Sequence, residues 1–195
     1  MDRNEVLDLF RNVGALLEGH FILSSGLRSP VFLQCALVLS YPQLADRLAS
    51  ALAKKVKSGI TEPIDCVVSP AMGGVIIGQE MGRALDVRAM FTERVDGVFT
   101  FRRGFQIPKA ARVLMVEDVV TTGLSSRECI STISSAGGEV VAAACLINRS
   151  GGTANVGVPL VALAEIDAPT YRVEDVPPEL AAIDPIKPGS RPGMR

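Results

Sequence analysis

The 195-residue sequence holds a single histidine, His20, and that scarcity excludes mechanisms before any motif is read. A Ser-His-Asp or Cys-His centre would have to run through this one residue, and multi-histidine zinc sites cannot be built at all. Cysteine is nearly as sparse: Cys35, Cys66, Cys129 and Cys145 stand far apart, with no Cys-x-x-Cys pair among them. Most of them lie in apolar runs, so they read as reduced core thiols of a cytoplasmic protein, not as disulfides or metal ligands. Neither sign of charge is in excess, with 20 basic against 21 acidic side chains for a net charge of −1. The overall basic balance of a nucleic-acid binder is therefore missing. No apolar run approaches the ~20 residues that span a bilayer, and the polar start of the chain is not a signal peptide. The Gly-Lys pair of a Walker A loop and the G-x-G-x-x-G of a dinucleotide-binding turn are absent too.

What is present is material for one buried core. Hydrophobic residues make up 48% of the chain, and at roughly 150 residues per domain the length predicts a single domain over 1–195. Apolar positions at helical spacing predict an amphipathic helix over 4–18 with Gly19 as its stop. Residues 20–39 read as short strands joined by a turn, and a second helix is expected over 42–57. Strands then alternate with helices: strands at 64–69, 87–92, 112–116, 140–148 and 159–166, helices at 74–85 and 125–136. Continuous apolar strands alternating with helices of about a dozen residues predict an α/β fold around a mostly parallel sheet covered on both faces. Residues 93–105 interrupt the pattern and read as a hairpin or a long mobile loop. From 176 onward the chain is proline-rich and is expected to be an irregular tail.

The stretch from Val113 to Ser126 carries the chemistry. Apolar residues end in Glu117-Asp118, and Thr121, Thr122, Gly123 and Ser125 lead into a helix. Ligands of open α/β sheets collect at the carboxyl ends of strands. Backbone N–H groups at a glycine turn and a helix start cradle phosphate, with Thr and Ser hydroxyls as further donors. Adjacent carboxylates upstream would repel that phosphate but can accept hydrogen bonds from sugar hydroxyls. Phosphate plus ribose fits the string; the plainer reading is a strand end with a helix cap.

Val-Glu-Asp-Val-Val-Thr-Thr-Gly, residues 116–123, resembles the signature of the type I phosphoribosyltransferases, which bind 5-phosphoribosyl 1-diphosphate. Residues 19–30, 68–75, 91–94, 103–105 and 146–152 extend the likeness. The pattern Phe21, Ser25-Gly26, Ser29-Pro30, together with Asn148-Arg149, resembles the orotate-using members. The resemblance implies a central sheet flanked by helices with a small N-terminal hood over about 1–40. It further implies transfer of ribose 5-phosphate to orotate with Mg²⁺, giving orotidine 5′-phosphate and diphosphate in pyrimidine nucleotide synthesis, by a homodimer.

Residue by residue, the resemblance places Glu117 and Asp118 at the ribose hydroxyls, directly or through Mg²⁺. No direct metal ligand is expected beyond Asp118. Val119, Val120, Thr121, Thr122, Gly123, Leu124 and Ser125 surround the 5′-phosphate, and Gly73 and Gly74 the diphosphate. Thr121, Arg149, Ser25, Gly26 and Phe32 are implied as orotate contacts, the arginine because its guanidinium fork suits a planar carboxylate. Read as a plain strand-to-helix turn, 69–74 needs its glycines only for backbone angles; Arg149 could be a surface charge and Phe32 a core aromatic. Better-known members carry lysine where this sequence has Gly73, and a lysine-rich loop with a histidine where it has arginines; some have lysine at Ser24. Arg94 and Arg103, with Arg102 as a further candidate, are thus the expected cations over the leaving group, Arg94 acting across the dimer interface. His20 is expected to be structural. Two other functions stay open: a phosphoribosyltransferase for another base, which would have no use for Arg149, and a non-catalytic sensor of phosphoribosyl diphosphate.

Overall fold

The computed structural model describes residues 1–23 and 25–188; Ser24 and 189–195, with Pro192, lie outside the described residues. Helix α1 (Arg3–Asn12) starts at a reciprocal cap in which Asp2 accepts from the Glu5 N–H at 2.9 Å and Glu5 accepts from the Asp2 N–H at 2.7 Å. Such a cap is worth about 1 kcal/mol. The helix stops well short of residue 18, because Gly14 turns into the left-handed region at φ +71°. Leu16–Ile22 is strand β1 instead. Leu16 is buried and Leu17 exposed, the alternation of a strand. Their cross-strand partners, Leu33 and Phe32 of β2 (Arg28–Leu33), settle an apolar run that fits either period. The expectation of strands up to residue 39 fails at its end, where Cys35–Leu39 forms a short helix, α2. Helix α3 (Pro42–Gly59) opens on the proline that a first turn tolerates and buries Ala45, Leu48, Leu52 and Val56 on one face.

The central sheet follows, its strands interleaved with two helices: β3 (Cys66–Pro70), α4 (Gly74–Leu85), β4 (Arg88–Val95), β5 (Val98–Phe101), β6 (Arg112–Val120), α5 (Leu124–Ser135), β7 (Glu139–Asn148) and β8 (Leu160–Glu165). Its strand order is β5-β4-β3-β6-β7-β8, parallel except for β5, so the expected α/β class holds. Helices cover both faces. Val67, Leu114, Val116, Ala142 and Ala144 face a core shared with α1 to α4, while Val68, Val113, Met115 and Ala143 face one shared with α5. All four cysteines are free and buried. Among the described residues no helix is long and apolar enough to cross a membrane.

Three further boundaries move. Strand β6 runs four residues past its expected end at 116, to Val120, which puts the acidic pair on the strand itself. The segment at 93–105 is a hairpin: β4 continues to Val95, and Asp96 and Gly97, at φ +50° and +84°, make the two-residue turn whose twist matches paired strands. The tail is not wholly irregular. After a 3₁₀ turn at Val173–Asp175 it forms helix α6 (Pro178–Ala181), then returns to β1 through Ile186.

Candidate active site

Strand order locates the site. The chain leaves β3 outward to β4 and then returns to β6 on the other side of β3, so the connections part at the carboxyl ends of β3 and β6, where an open sheet has its crevice. Two helices begin there. Gly73 starts α4 and Gly123 starts α5, and neither supplies a side-chain cap, so both helix starts present N–H groups and positive dipole ends, although the Val75 N–H of α4 already donates to the Met72 carbonyl at 3.2 Å. The α5 start receives only a long 3.4 Å contact from its Leu124 N–H to the Thr122 hydroxyl. Thr121 and Thr122 are exposed and Ser125 half-buried, available to an anion; Val119 and Val120 continue the strand, and the Leu124 side chain points to solvent. Glycine is required at 123, where φ is +73° and a Cβ would meet Val156 at 3.0 Å and the Asn155 carbonyl at 3.3 Å.

The α4 turn closes against Asp118. A Cβ on Gly73 would stand 2.7 Å from Asp118 Oδ1. Any side chain there would displace the carboxylate, and the bare glycine lets the α4 start close against it. Gly74 is buried, its Cβ position 3.1 Å from the Val116 carbonyl.

Glu117 and Asp118 do not present a common face. As neighbours on an extended strand they point to opposite sides of the sheet. Asp118 looks toward the α4 start and Cys35, and Glu117 toward α5, where the buried Ser126 hydroxyl donates to its Oε2. Burial pushes the Glu117 carboxyl up to about 7; the Ser126 hydrogen bond and the charge of Arg94 work against that rise, and the neighbouring Asp118 adds to it. Burial raises Asp118 as well, opposed by backbone N–H groups.

The hood supplies a second cluster. Arg149 follows β7, its N–H held by the Val120 carbonyl at 2.8 Å, and its guanidinium crosses to the hood, donating from Nη2 to Ser29 Oγ at 2.8 Å. Its Nε is buried without a partner among the described residues, and burial lowers its pKa. The arginine is not the plain surface charge that a lone arginine usually is. Phe32 packs on Phe21 with ring centroids 5.8 Å apart, and Ser25 and Gly26 are exposed at the turn between β1 and β2.

The arginines of the hairpin are engaged elsewhere. Arg94 pairs with Glu128 of α5, donates to the Gly97 carbonyl at 2.6 Å and lies 4.0 Å over the Phe99 ring. Arg103 holds Glu93 through two hydrogen bonds of 2.8 and 2.9 Å. Arg102 is exposed. The structure thus gathers Gly73, Gly74, Asp118 and 121–125 at one crevice and joins Arg149 to the hood, but it turns Arg94 and Arg103 onto carboxylates. Sequence reasoning missed those carboxylates and Ser126. Glu93 and Glu128 carry no signature, and the Ser126 contact arises only when β6 and α5 fold against each other. Ser29 stood inside the hood motif, but not as the anchor of Arg149.

A phosphoribosyl transferase domain model matches residues 37–177, and the chain belongs to that family. Its fold is that of the orotate phosphoribosyltransferase of Aeropyrum pernix, with a TM-score of 0.69 at 24% identity over 83% of this chain and 93% of that one. Within the family the chain belongs with the orotate phosphoribosyltransferases. It is 60% identical over 191 residues to that of Rhizorhabdus wittichii, covering 98% of this chain and 97% of the relative. It is 58% identical to that of Parvibaculum lavamentivorans, with 98% of each covered.

Proposed function

We propose that this chain transfers the phosphoribosyl group of 5-phosphoribosyl 1-diphosphate to orotate, giving orotidine 5′-phosphate and diphosphate in pyrimidine nucleotide synthesis. The observation that carries the reading is the pair of helix starts without side-chain caps at the switch point of the sheet, one of them closed against Asp118. The α5 start, with the Thr121, Thr122 and Ser125 hydroxyls, holds the 5′-phosphate, and the α4 start at Gly73 and Gly74 holds the diphosphate. Asp118, against the α4 start, accepts from the ribose hydroxyls. Glu117 supports the site from the other face of β6. Fixing both ends of the substrate presents carbon-1 between its leaving group and the base, and positioning of this kind can supply several kcal/mol of barrier reduction.

Phosphoribosyltransferases use a divalent cation. Among the described residues no cluster of three or more His, Cys, Asp or Glu side chains forms a metal cage, while Asp118 offers a hard oxygen donor at the α4 start. That donor set fits Mg²⁺ carried on substrate oxygens and water. Asp118 would hold such a cation there, and the cation would supply charge neutralisation for the departing diphosphate. Arg149 recognises the base: a desolvated guanidinium with an unused Nε suits the carboxylate of orotate, beside Phe32, Ser25, Gly26 and Thr121. Orotate brings an already anionic nitrogen to carbon-1, so no histidine base is needed. Arg94 and Arg103 stabilise the leaving group after exchanging Glu128 and Glu93 for diphosphate oxygens. The enzyme works as a homodimer on small-molecule substrates in the cytoplasm. Arg94 is expected to serve the partner's site, although its charge already acts on Glu117 of its own chain.

The test is to mix the purified protein with orotate, phosphoribosyl diphosphate and Mg²⁺ and follow the loss of orotate absorbance. Steady turnover is expected. Turnover with another base and none with orotate would overturn the reading.

A further inference from the structure

The sole histidine and the proline-rich tail play no part in the reaction as proposed, yet they meet each other. After β8 the chain pairs with the outer edge of β2, the Arg28 N–H donating to the Tyr171 carbonyl at 2.8 Å and the Tyr171 N–H to the Arg28 carbonyl at 2.9 Å. Fifteen residues further on it pairs with the outer edge of β1: the Ile186 N–H donates to the His20 carbonyl and the Ile22 N–H to the Ile186 carbonyl, both at 2.8 Å. Between these two anchors it crosses the hood. His20, buried in β1, holds the crossing segment through ring Nδ1 and the Ile183 carbonyl at 2.8 Å, an arrangement that makes Nδ1 the protonated nitrogen. Its Nε2 is buried with no partner among the described residues.

Both anchors sit beside one turn. Ile22 and Arg28 flank the loop in which the Leu23 N–H bonds the Leu27 carbonyl and the Gly26 N–H the Leu23 carbonyl, each at 2.9 Å. This is the loop of Ser25 and Gly26, and the residue after Arg28 is Ser29, which receives Arg149. Leu180 of α6 is buried, and an open cleft of about 560 Å³ runs beside the segment, lined by Glu18, Gly19, Pro30, Val31, Leu180 and Ile183. The backbone hydrogen bonds that anchor the strap end on the two legs of the turn.

We propose that residues 171–188 are a positioning strap for the base subsite: by clamping both legs of the turn that carries Ser25 and Gly26, with His20 as the central pin, they set affinity for the base and leave the phosphate cradles alone. This rests on the orotate reading of the hood given above. The strap lies on the hood, away from β3, β6 and their helix starts, so loosening it acts on one substrate only.

The experiment compares Ile186→Pro, which removes the N–H bonded to His20, with His20→Ala and His20→Asn; the amide nitrogen of Asn sits close to where Nδ1 does. Truncation before Tyr171 exposes both edges of the hood and can unfold the chain, so these point variants carry the test. Loss of one such bond should raise KM for orotate about fivefold to tenfold, while KM for phosphoribosyl diphosphate stays within about twofold and His20→Asn restores most of the loss. Hydrogen exchange of the 22–28 segment, read by mass spectrometry without substrates, should quicken about tenfold in Ile186→Pro. A parallel rise in both KM values, an unchanged orotate KM in the folded variants, or unchanged exchange of 22–28 would overturn the proposal. If the unmodified protein turns over another base instead, the orotate reading has failed, and the strap is judged on the KM for that base and on exchange.

Discussion

The turn from β6 to α5 and the hairpin of β4 and β5 both carry charge, and they hold it in opposite ways. At the turn, Glu117 and Asp118 are half-buried on a strand whose core neighbours are fully buried, no cation among the described residues is paired with either, and burial raises both. On the hairpin, Arg94 and Arg103 are exposed and each is satisfied by a carboxylate. The turn is fixed by the sheet and, in the proposed reaction, would meet substrate as it stands. The hairpin would have to exchange partners first, at small cost, because exposed pairs are worth about 0–1 kcal/mol. The turn should therefore govern binding and turnover together, and the hairpin turnover alone.

Asp118→Asn breaks that comparison most sharply if it is wrong. It keeps the shape of the side chain at the α4 start but removes the charge proposed to meet the ribose and the cation. A fall in kcat/KM of about 10²–10³ is expected, in the range seen when one preorganised electrostatic group is lost, with weaker binding of phosphoribosyl diphosphate. Near-normal steady-state kinetics in a folded variant would remove Asp118 from the site.

Arg94→Ala addresses the other side of the contrast. Its guanidinium touches Glu128, Gly97 and Phe99, not the helix starts. A loss of about tenfold in kcat with KM for phosphoribosyl diphosphate within about twofold is expected, the pattern of an interaction made only in the transition state. A large rise in KM at unchanged kcat would mean that the hairpin already grips the ground state, and the contrast would collapse.

The same division explains what could be read without coordinates. The alternation of buried strands and helices is written in periodicity, and the β6–α5 turn in a local string, because each is a property of neighbouring residues. The helix expected over 4–18 failed where Leu16 and Leu17 fit both periods until Leu33 and Phe32 arrived from β2. Glu117 and Asp118 were legible as an acidic pair but not as a divided one, since their separation depends on β6 continuing to Val120. The partners of Arg94 and Arg149 lie 34 and 120 residues away, and no spacing rule reaches across such intervals. The tail read as irregular because proline composition speaks against long elements but is silent on isolated pairings such as that of Ile186.

The smallest expected effect has the clearest sign. Glu117 titrates near 7 in the folded chain against an ordinary 4.5, so the fold holds its proton more tightly than the unfolded chain does. Its contribution to stability is complete below about 4.5 and is lost as pH rises through 7. Glu117→Gln cannot ionise, so its melting temperature relative to the unmodified chain should climb by about 3–6 °C between pH 5 and pH 8. Glu93 on the hairpin runs the other way, because the Arg103 hydrogen bonds lower it; what it gives is present above its unfolded pKa and lost on acidification. Glu93→Gln should therefore cost little at pH 8, about 1 °C or less for so exposed a pair, and nothing near pH 4. If the two variants shift with the same sign across that range, the carboxylates share one environment, and the contrast between a buried turn and a solvated hairpin does not hold.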